Sequence, residues 1–124
     1  MMPAPSVLVV EDDLIIGWHL RHMLEGIGCH VCATAVAEDE AVAAAEKHRP
    51  DLVLMDLRLA GGGSGAAAAE RIRTDLSAPI VFCTAHGDDP QFRHRIEKLG
   101  LTAVLSKPVR QDQLEEVIKR FSIA

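Results

Sequence analysis

Aromatic side chains are scarce in this sequence: one Trp, three Phe and no Tyr make up 3% of its 124 residues. Proteins that read unpaired bases stack them on such rings, so base recognition is a poor fit. Lys and Arg form no run, and a formal net charge of -5 denies the chain the basic footprint of a nucleic-acid or acidic-membrane binder. No apolar run reaches the roughly 20 residues needed to span a bilayer, and Met1 to Ser6 has neither the basic nor the apolar segment of a signal peptide. Three cysteines are an odd and sparse set, which argues against a disulfide framework. Cys29 and Cys32 form a C-x-x-C, but a redox pair opens a helix after a strand, whereas this one leads into a strand. The expectation is a cytoplasmic protein with protein and cation partners, no direct nucleic-acid contact and no membrane insertion.

What is present is enough for one core. Hydrophobic residues make up 48% and charged residues 25%, the balance of a globular chain rather than a disordered one, and the length suits a single domain over 1–124 with residues 1–5 as an N-terminal extension. Five short apolar runs read as strands buried on both faces: Val7 to Val10, Val31 to Thr34, Leu52 to Met55, Ile80 to Cys83 and Ala103 to Leu105. Between them lie helical stripes, first Ile16, Leu20, Leu24 and Ile27, then Phe92, Ile96 and Leu99, then Leu114, Val117, Ile118 and Phe121. Glu38 to His48 and Ala66 to Arg73 are Ala-rich and helix-favouring, while Gly28 and Gly100 stand where helix ends need a left-handed residue. Strict alternation of strand and helix predicts an α/β fold with a doubly wound, five-stranded parallel sheet.

Such sheets collect ligands beyond the carboxyl ends of their strands. There the sequence places Glu11-Asp12-Asp13, Asp56, Thr84 and Lys107 followed by Pro108. Taken singly, each has a plain explanation: an acid after a strand is most often a helix N-cap, the reading preferred for Asp13, Thr84 is a β-branched strand residue and Lys107 a solvated charge. Four polar groups at four ends of otherwise apolar strands are a different matter. With strands one and three adjacent, Glu11, Asp12 and Asp56 converge, and three carboxylates in one crevice call for a hard cation, Mg²⁺ or Mn²⁺, since Zn²⁺ would want His or Cys ligands that are not clustered here. Asp56 can then attack phosphorus as a carboxylate nucleophile, with Lys107 and Thr84 each holding a phosphoryl oxygen.

The segments VLVVEDD, LVLMDLRL, PIVFCTA and LSKPV, in that order and spacing, resemble the response regulator receiver family over nearly the whole chain. The resemblance implies a flavodoxin-like (βα)5 fold with strand order 2-1-3-4-5. It implies that Glu11 and Asp12 are the acidic cation pair, Asp56 the phosphoacceptor, the Arg58 backbone carbonyl a further cation ligand, Thr84 the switch hydroxyl and Lys107 the phosphoryl-binding lysine before a cis-prone Pro108. Partners would be a histidine kinase or a histidine phosphotransfer protein, with a second copy of the chain as a candidate, and the protein would be no enzyme beyond catalysing its own phosphorylation and dephosphorylation. The chain departs from the common pattern at three places. Val104 stands where a switch aromatic is usual, Ala60 replaces a proline ahead of a Gly61 to Gly65 stretch read as a flexible connector, and His86 holds the place of an aromatic that follows the fourth strand in a variant subgroup.

Arg58 and His86, each two residues beyond a site residue, are expected to overlook the site and tune the lifetime of the phosphorylated state. Ile15, Trp18, His19 and His22 lie off the main stripe of the first helix and offer a surface for a kinase or phosphotransfer bundle. The leading expectation is a stand-alone receiver that relays or drains phosphoryl groups. The alternatives are a receiver cut from a longer regulator or hybrid kinase, and an aspartate-nucleophile phosphatase, which would usually carry a second acid where Arg58 stands.

Overall fold

The computed structural model describes residues 4–85 and 89–121. Its elements alternate as the periodicities require: β1 (Ser6–Val10), α1 (Leu14–Gly26), β2 (His30–Ala35), α2 (Glu38–His48), β3 (Leu52–Met55), α3 (Gly65–Arg73), β4 (Ile80–Thr84), α4 (Pro90–Glu97), β5 (Thr102–Ser106) and α5 (Gln111–Arg120). All neighbouring strands pair parallel in the order β2-β1-β3-β4-β5, as expected. The central strands explain their own sequences: every residue of β3 and β4 and four of five in β1 are buried, so neither face tolerates a polar side chain until the strand ends.

Alternating residues feed two cores. Val7, Val9, Leu52, Leu54, Val81 and Cys83 point toward α1 and α5, where Leu20, Leu24, Leu114 and Val117 cover them. Leu8, Val10, Val53, Met55, Ile80 and Phe82 point toward α2, α3 and α4. The second layer is built largely of alanine, with Ala41, Ala45, Ala66, Ala68 and Ala69 all buried. Small side chains cost little rotamer entropy and let helix backbones lie close to the sheet. Each fully buried Leu, Val, Ile or Phe contributes roughly 1.5–3 kcal/mol.

Helix ends follow local chemistry. The Asp13 carboxylate accepts from the backbone N–H groups of Ile15 and Ile16 at 2.9 and 3.1 Å, which starts α1. Gly28 and Gly100 adopt φ of 91° and 63°, the left-handed values expected after α1 and α4. At the end of α3, Arg73 spreads its guanidinium over the carbonyls of Leu76, Ala78, Leu99, Gly100 and Leu101, lashing the helix to the approach of β4 and the turn before β5.

Two expectations need correction. Ile16 was assigned to the core stripe of α1, but it is 36% exposed and the buried residues are Gly17, Leu20, Met23 and Leu24. Gly17 faces the Glu11 side chain at the sheet, and Ile16 stands on the flank of the helix. The glycine-rich stretch is a closed turn: Gly61 and Gly62 supply positive φ, Leu59 N–H donates to the Gly63 carbonyl at 3.0 Å, Gly65 N–H donates to the Leu57 carbonyl at 2.8 Å, and α3 begins at Gly65 rather than Ala66.

Candidate functional site

Strand pairing does the first part of the work. Asp56 N–H donates to the Val10 carbonyl at 2.9 Å, continuing the β1–β3 ladder one step beyond the strands and setting Asp56 beside Glu11. Lys107 N–H donates to the Thr84 carbonyl at 3.1 Å, extending the β4–β5 ladder in the same way. Glu11, Asp56 and Thr84 are the only buried polar side chains among the described residues, and all three stand at strand ends. Burying such groups is costly unless they are partnered, so this concentration marks the site rather than the core.

The partners are specific. Lys107 Nζ lies 2.7 Å from Glu11 Oε1 and 3.0 Å from Asp56 Oδ2, donating to both. Glu11 Oε2 accepts from Asp13 N–H at 3.2 Å, and Asp56 Oδ1 accepts from Leu57 N–H at 2.7 Å. One carboxylate oxygen each from Glu11, Asp12 and Asp56 lie within 4.8 Å of one another, with Asp12 exposed and able to admit an ion from solvent. A single ammonium against three carboxylates leaves excess negative charge. Burial therefore raises the Glu11 pKa, with Lys107 opposing and the neighbouring Asp56 adding to the rise, up to about 7. Burial works against the Lys107 ammonium, yet its hydrogen bonds to Glu11 and Asp56 outweigh that and hold its pKa above the ordinary lysine value. An all-oxygen, acid-rich donor set of this kind fits a hard divalent cation such as Mg²⁺.

The Arg58 carbonyl is the further cation ligand that the sequence leads one to expect. Arg58 faces Ser64 across an antiparallel bridge whose hydrogen bonds are made by the flanking residues, Leu59 with Gly63 and Leu57 with Gly65. In that register the Arg58 carbonyl turns out of the ladder and stays outside its bonding. Thr84 is buried at the end of β4, 2% exposed. Val104 is half-buried on β5 and packs on the α2–α3–α4 core, so no ring stands there; the aromatic pair beneath α4 is Phe82 with Phe92, edge to face at 5.1 Å. The Lys107–Pro108 peptide is cis. His86 lies outside the described residues.

Two features escaped the sequence. The Leu57 N–H on Asp56 is a backbone group that no side-chain pattern advertises, and Gly65 was hidden within the glycine run. A Cβ built on Gly65 would overlap the Asp56 carbonyl oxygen, so its nine-residue spacing from Asp56 is a constraint rather than composition. The surface of α1 is as expected: Ile15 is 79% and Trp18 61% exposed, with Trp18 edge-on to His22 at 4.2 Å. Beside it lies an apolar groove of about 410 Å³ to which α1 gives Ile15, Ile16, His19, Leu20 and Met23 and the strand ends give Cys83, Lys107, Pro108 and Val109. Cys29, Cys32 and Cys83 are free thiols. No helix among the described residues is long and apolar enough to cross a membrane.

Known proteins bear on this geometry. The response regulator receiver domain model matches residues 7–119. The phyllosphere-induced regulator PhyR of Methylorubrum extorquens is 33% identical over 118 residues, covering 94% of this chain and 43% of its own length. The transcriptional regulatory protein PdtaR of Mycobacterium tuberculosis is 37% identical over 119 residues, covering 93% of this chain and 57% of its own. The crystal structure of the signal receiver domain of a modulated diguanylate cyclase from Desulfovibrio desulfuricans superposes with a TM-score of 0.85 at 33% identity, covering 94% of this chain and 92% of that one. The chain thus spans about half the length of the curated relatives it matches. These likenesses lend no support to the phosphatase alternative. Receiver domains are generally not enzymes in themselves and work with histidine kinases or phosphotransfer proteins; on sequence and fold together, this chain belongs to the response regulator receiver family, the phosphoacceptor modules of two-component signalling.

Proposed function

We propose that Asp56 is the phosphoacceptor, with Glu11, Asp12 and the Arg58 carbonyl joining it to hold Mg²⁺ or Mn²⁺, and with Lys107 and Thr84 holding the incoming phosphoryl oxygens. The observation that carries this is Lys107 Nζ shared between Glu11 and Asp56 at the rim of an otherwise apolar sheet. A bound divalent cation supplies charge neutralisation on the transferring group. One Asp56 oxygen attacks phosphorus, the new O–P bond forms as the bond to the donor imidazole or acyl oxygen breaks, and the leaving group keeps that electron pair. An imidazole leaving group then takes up a proton. Lys107 swings its ammonium from the carboxylate pair to a phosphoryl oxygen, and the Thr84 hydroxyl donates to another. Attack of water on phosphorus later returns the carboxylate and inorganic phosphate, so the chain's own groups serve both directions of its switch, with Arg58 and His86 tuning that water's access.

The donor is a phosphohistidine on a helix bundle in the cytoplasm, and it docks on the exposed apolar face of α1. Lys107 both lines the groove beside α1 and donates to Asp56, so a helix lying in that groove brings its phosphohistidine close to Asp56. The test is direct. Unaltered protein given a small acyl phosphate and Mg²⁺ gains one phosphoryl group by intact mass, and Asp56→Asn gains none; an adduct that survives Asp56→Asn refutes the assignment. Replacing Trp18 by Ala leaves labelling by the small donor intact but slows transfer from a cognate kinase, and unchanged transfer would retire the docking face.

A further inference from the structure

We propose that Gly65 is a positioning residue for phosphoryl transfer: its missing side chain lets the first turn of α3 rest on the Asp56–Leu57 peptide, holding the nucleophile and keeping the Arg58 carbonyl outside the loop's own hydrogen bonding. The inference rests on the reading of Asp56 as phosphoacceptor.

Three observations converge. A Cβ at position 65 would overlap the Asp56 carbonyl oxygen, stand 2.9 Å from the Asp56 carbonyl carbon and 3.0 Å from Met55 Cγ, so helix and strand end meet through backbone alone. No left-handed φ is involved at Gly65, unlike Gly61 and Gly62, so the position needs space and not conformational freedom. Its N–H donates to the Leu57 carbonyl at 2.8 Å, closing the ladder around Arg58, while the Leu57 N–H donates to Asp56 Oδ1 at 2.7 Å. The peptide that Gly65 presses on therefore carries a hydrogen bond to the nucleophile and leads into the candidate cation-binding carbonyl. Ser64 seats the helix by accepting from Ala67 N–H at 3.2 Å. A methyl group at 65 must push the 56–58 segment or α3 aside, and a displacement of even a fraction of an ångström matters where reacting atoms need near-attack geometry.

The experiment compares Gly65→Ala with Arg73→Ala, which loosens the far end of the same helix without touching the loop. Mg²⁺ affinity is read from the fluorescence of Trp18, which lines one small cavity together with Glu11, and from the Mg²⁺-dependent rise in melting temperature; folding is checked by circular dichroism. Gly65→Ala is expected to weaken Mg²⁺ binding about tenfold or more, as losses of groups supporting metal ligands do, and to slow labelling by the small acyl phosphate at saturating Mg²⁺. Arg73→Ala is expected to lower melting temperature with both readouts unchanged. Equal losses in the two variants, or normal Mg²⁺ affinity and labelling in Gly65→Ala, overturn the proposal. Should Gly65→Ala fail to fold, Ser64→Ala, which unseats the helix without adding an atom, decides: weakened Mg²⁺ binding supports the positioning role and unaltered binding overturns it. Failure of the unaltered protein to label at all would instead remove the phosphoacceptor reading on which the inference stands.

Discussion

Two partly buried cations sit at opposite rims of the same sheet, and they are held in opposite ways. At the amino ends of β4 and β5, Arg73 faces five backbone carbonyls, neutral dipoles whose positions are fixed by the chain. Burial pulls its pKa below the ordinary arginine value, but a guanidinium stays charged and its planar fork suits several acceptors at once. At the carboxyl ends, Lys107 faces two carboxylates in a group of three. On the proposed reading those partners can be loaded with a cation or converted to an acyl phosphate, and a compact ammonium on a flexible stem can follow them. One rim is fastened by groups that cannot change and the other by groups that can. The scaffold is thereby stable where it is fixed and responsive where charge is exchangeable.

Three changes would sharpen or break this contrast. The largest effect is expected for Lys107→Ala, which should slow labelling of Asp56 by roughly 10²–10³-fold, the usual cost of losing one donor to developing oxyanion charge. Its stability loss should be reversed by added Mg²⁺, because a divalent cation can take over neutralisation of Glu11 and Asp56; a loss that Mg²⁺ fails to restore would mean that Lys107 is as structural as Arg73. Next, Arg73→Ala should cost roughly 3 kcal/mol in chemical denaturation, since several charge-assisted hydrogen bonds go at once, and Mg²⁺ should bring no special recovery beyond that seen in the unaltered protein. The third effect is a pH dependence, spread over several pH units. Glu11, with its pKa raised from an ordinary 4.5 to about 7, holds its proton more tightly folded than unfolded. The metal-free protein should therefore lose stability as pH rises through that window, because the unfolded chain releases the proton first. Cation binding must displace this proton, so Mg²⁺ affinity should climb by up to about tenfold per pH unit below 7 and level off above it. Isothermal titration at stepped pH checks this, with Glu11→Gln expected to flatten the profile.

How much of this was legible in the sequence depends on the kind of signal. Glu11, Asp56, Thr84 and Lys107 were readable because each interrupts an apolar strand, and burial on both faces makes that interruption conspicuous. The phase of α1 was less readable. Leu14, Ile15, Ile16, Trp18, Leu20, Met23 and Leu24 offer apolar surface on more than one side, so periodicity alone could not say that Gly17, rather than Ile16, turns toward the sheet. The anchoring role of Arg73 carries no sequence signal, because its partners are carbonyls, which leave no trace in side-chain patterns. Gly65 was invisible for a related reason: a residue that matters by what it lacks cannot be told from its glycine neighbours until the Asp56 carbonyl is seen against it.

Lys107 stands 96 positions from Glu11 and 51 from Asp56, and that separation governs when the acceptor centre can first exist. During synthesis β1 and β3 emerge well before β5, and until the last strand arrives the two acids have no ammonium between them and remain better hydrated than buried. A nascent chain still on the ribosome thus holds the proposed nucleophile without the ammonium that partners it. Competence to take a signal comes only with the finished fold.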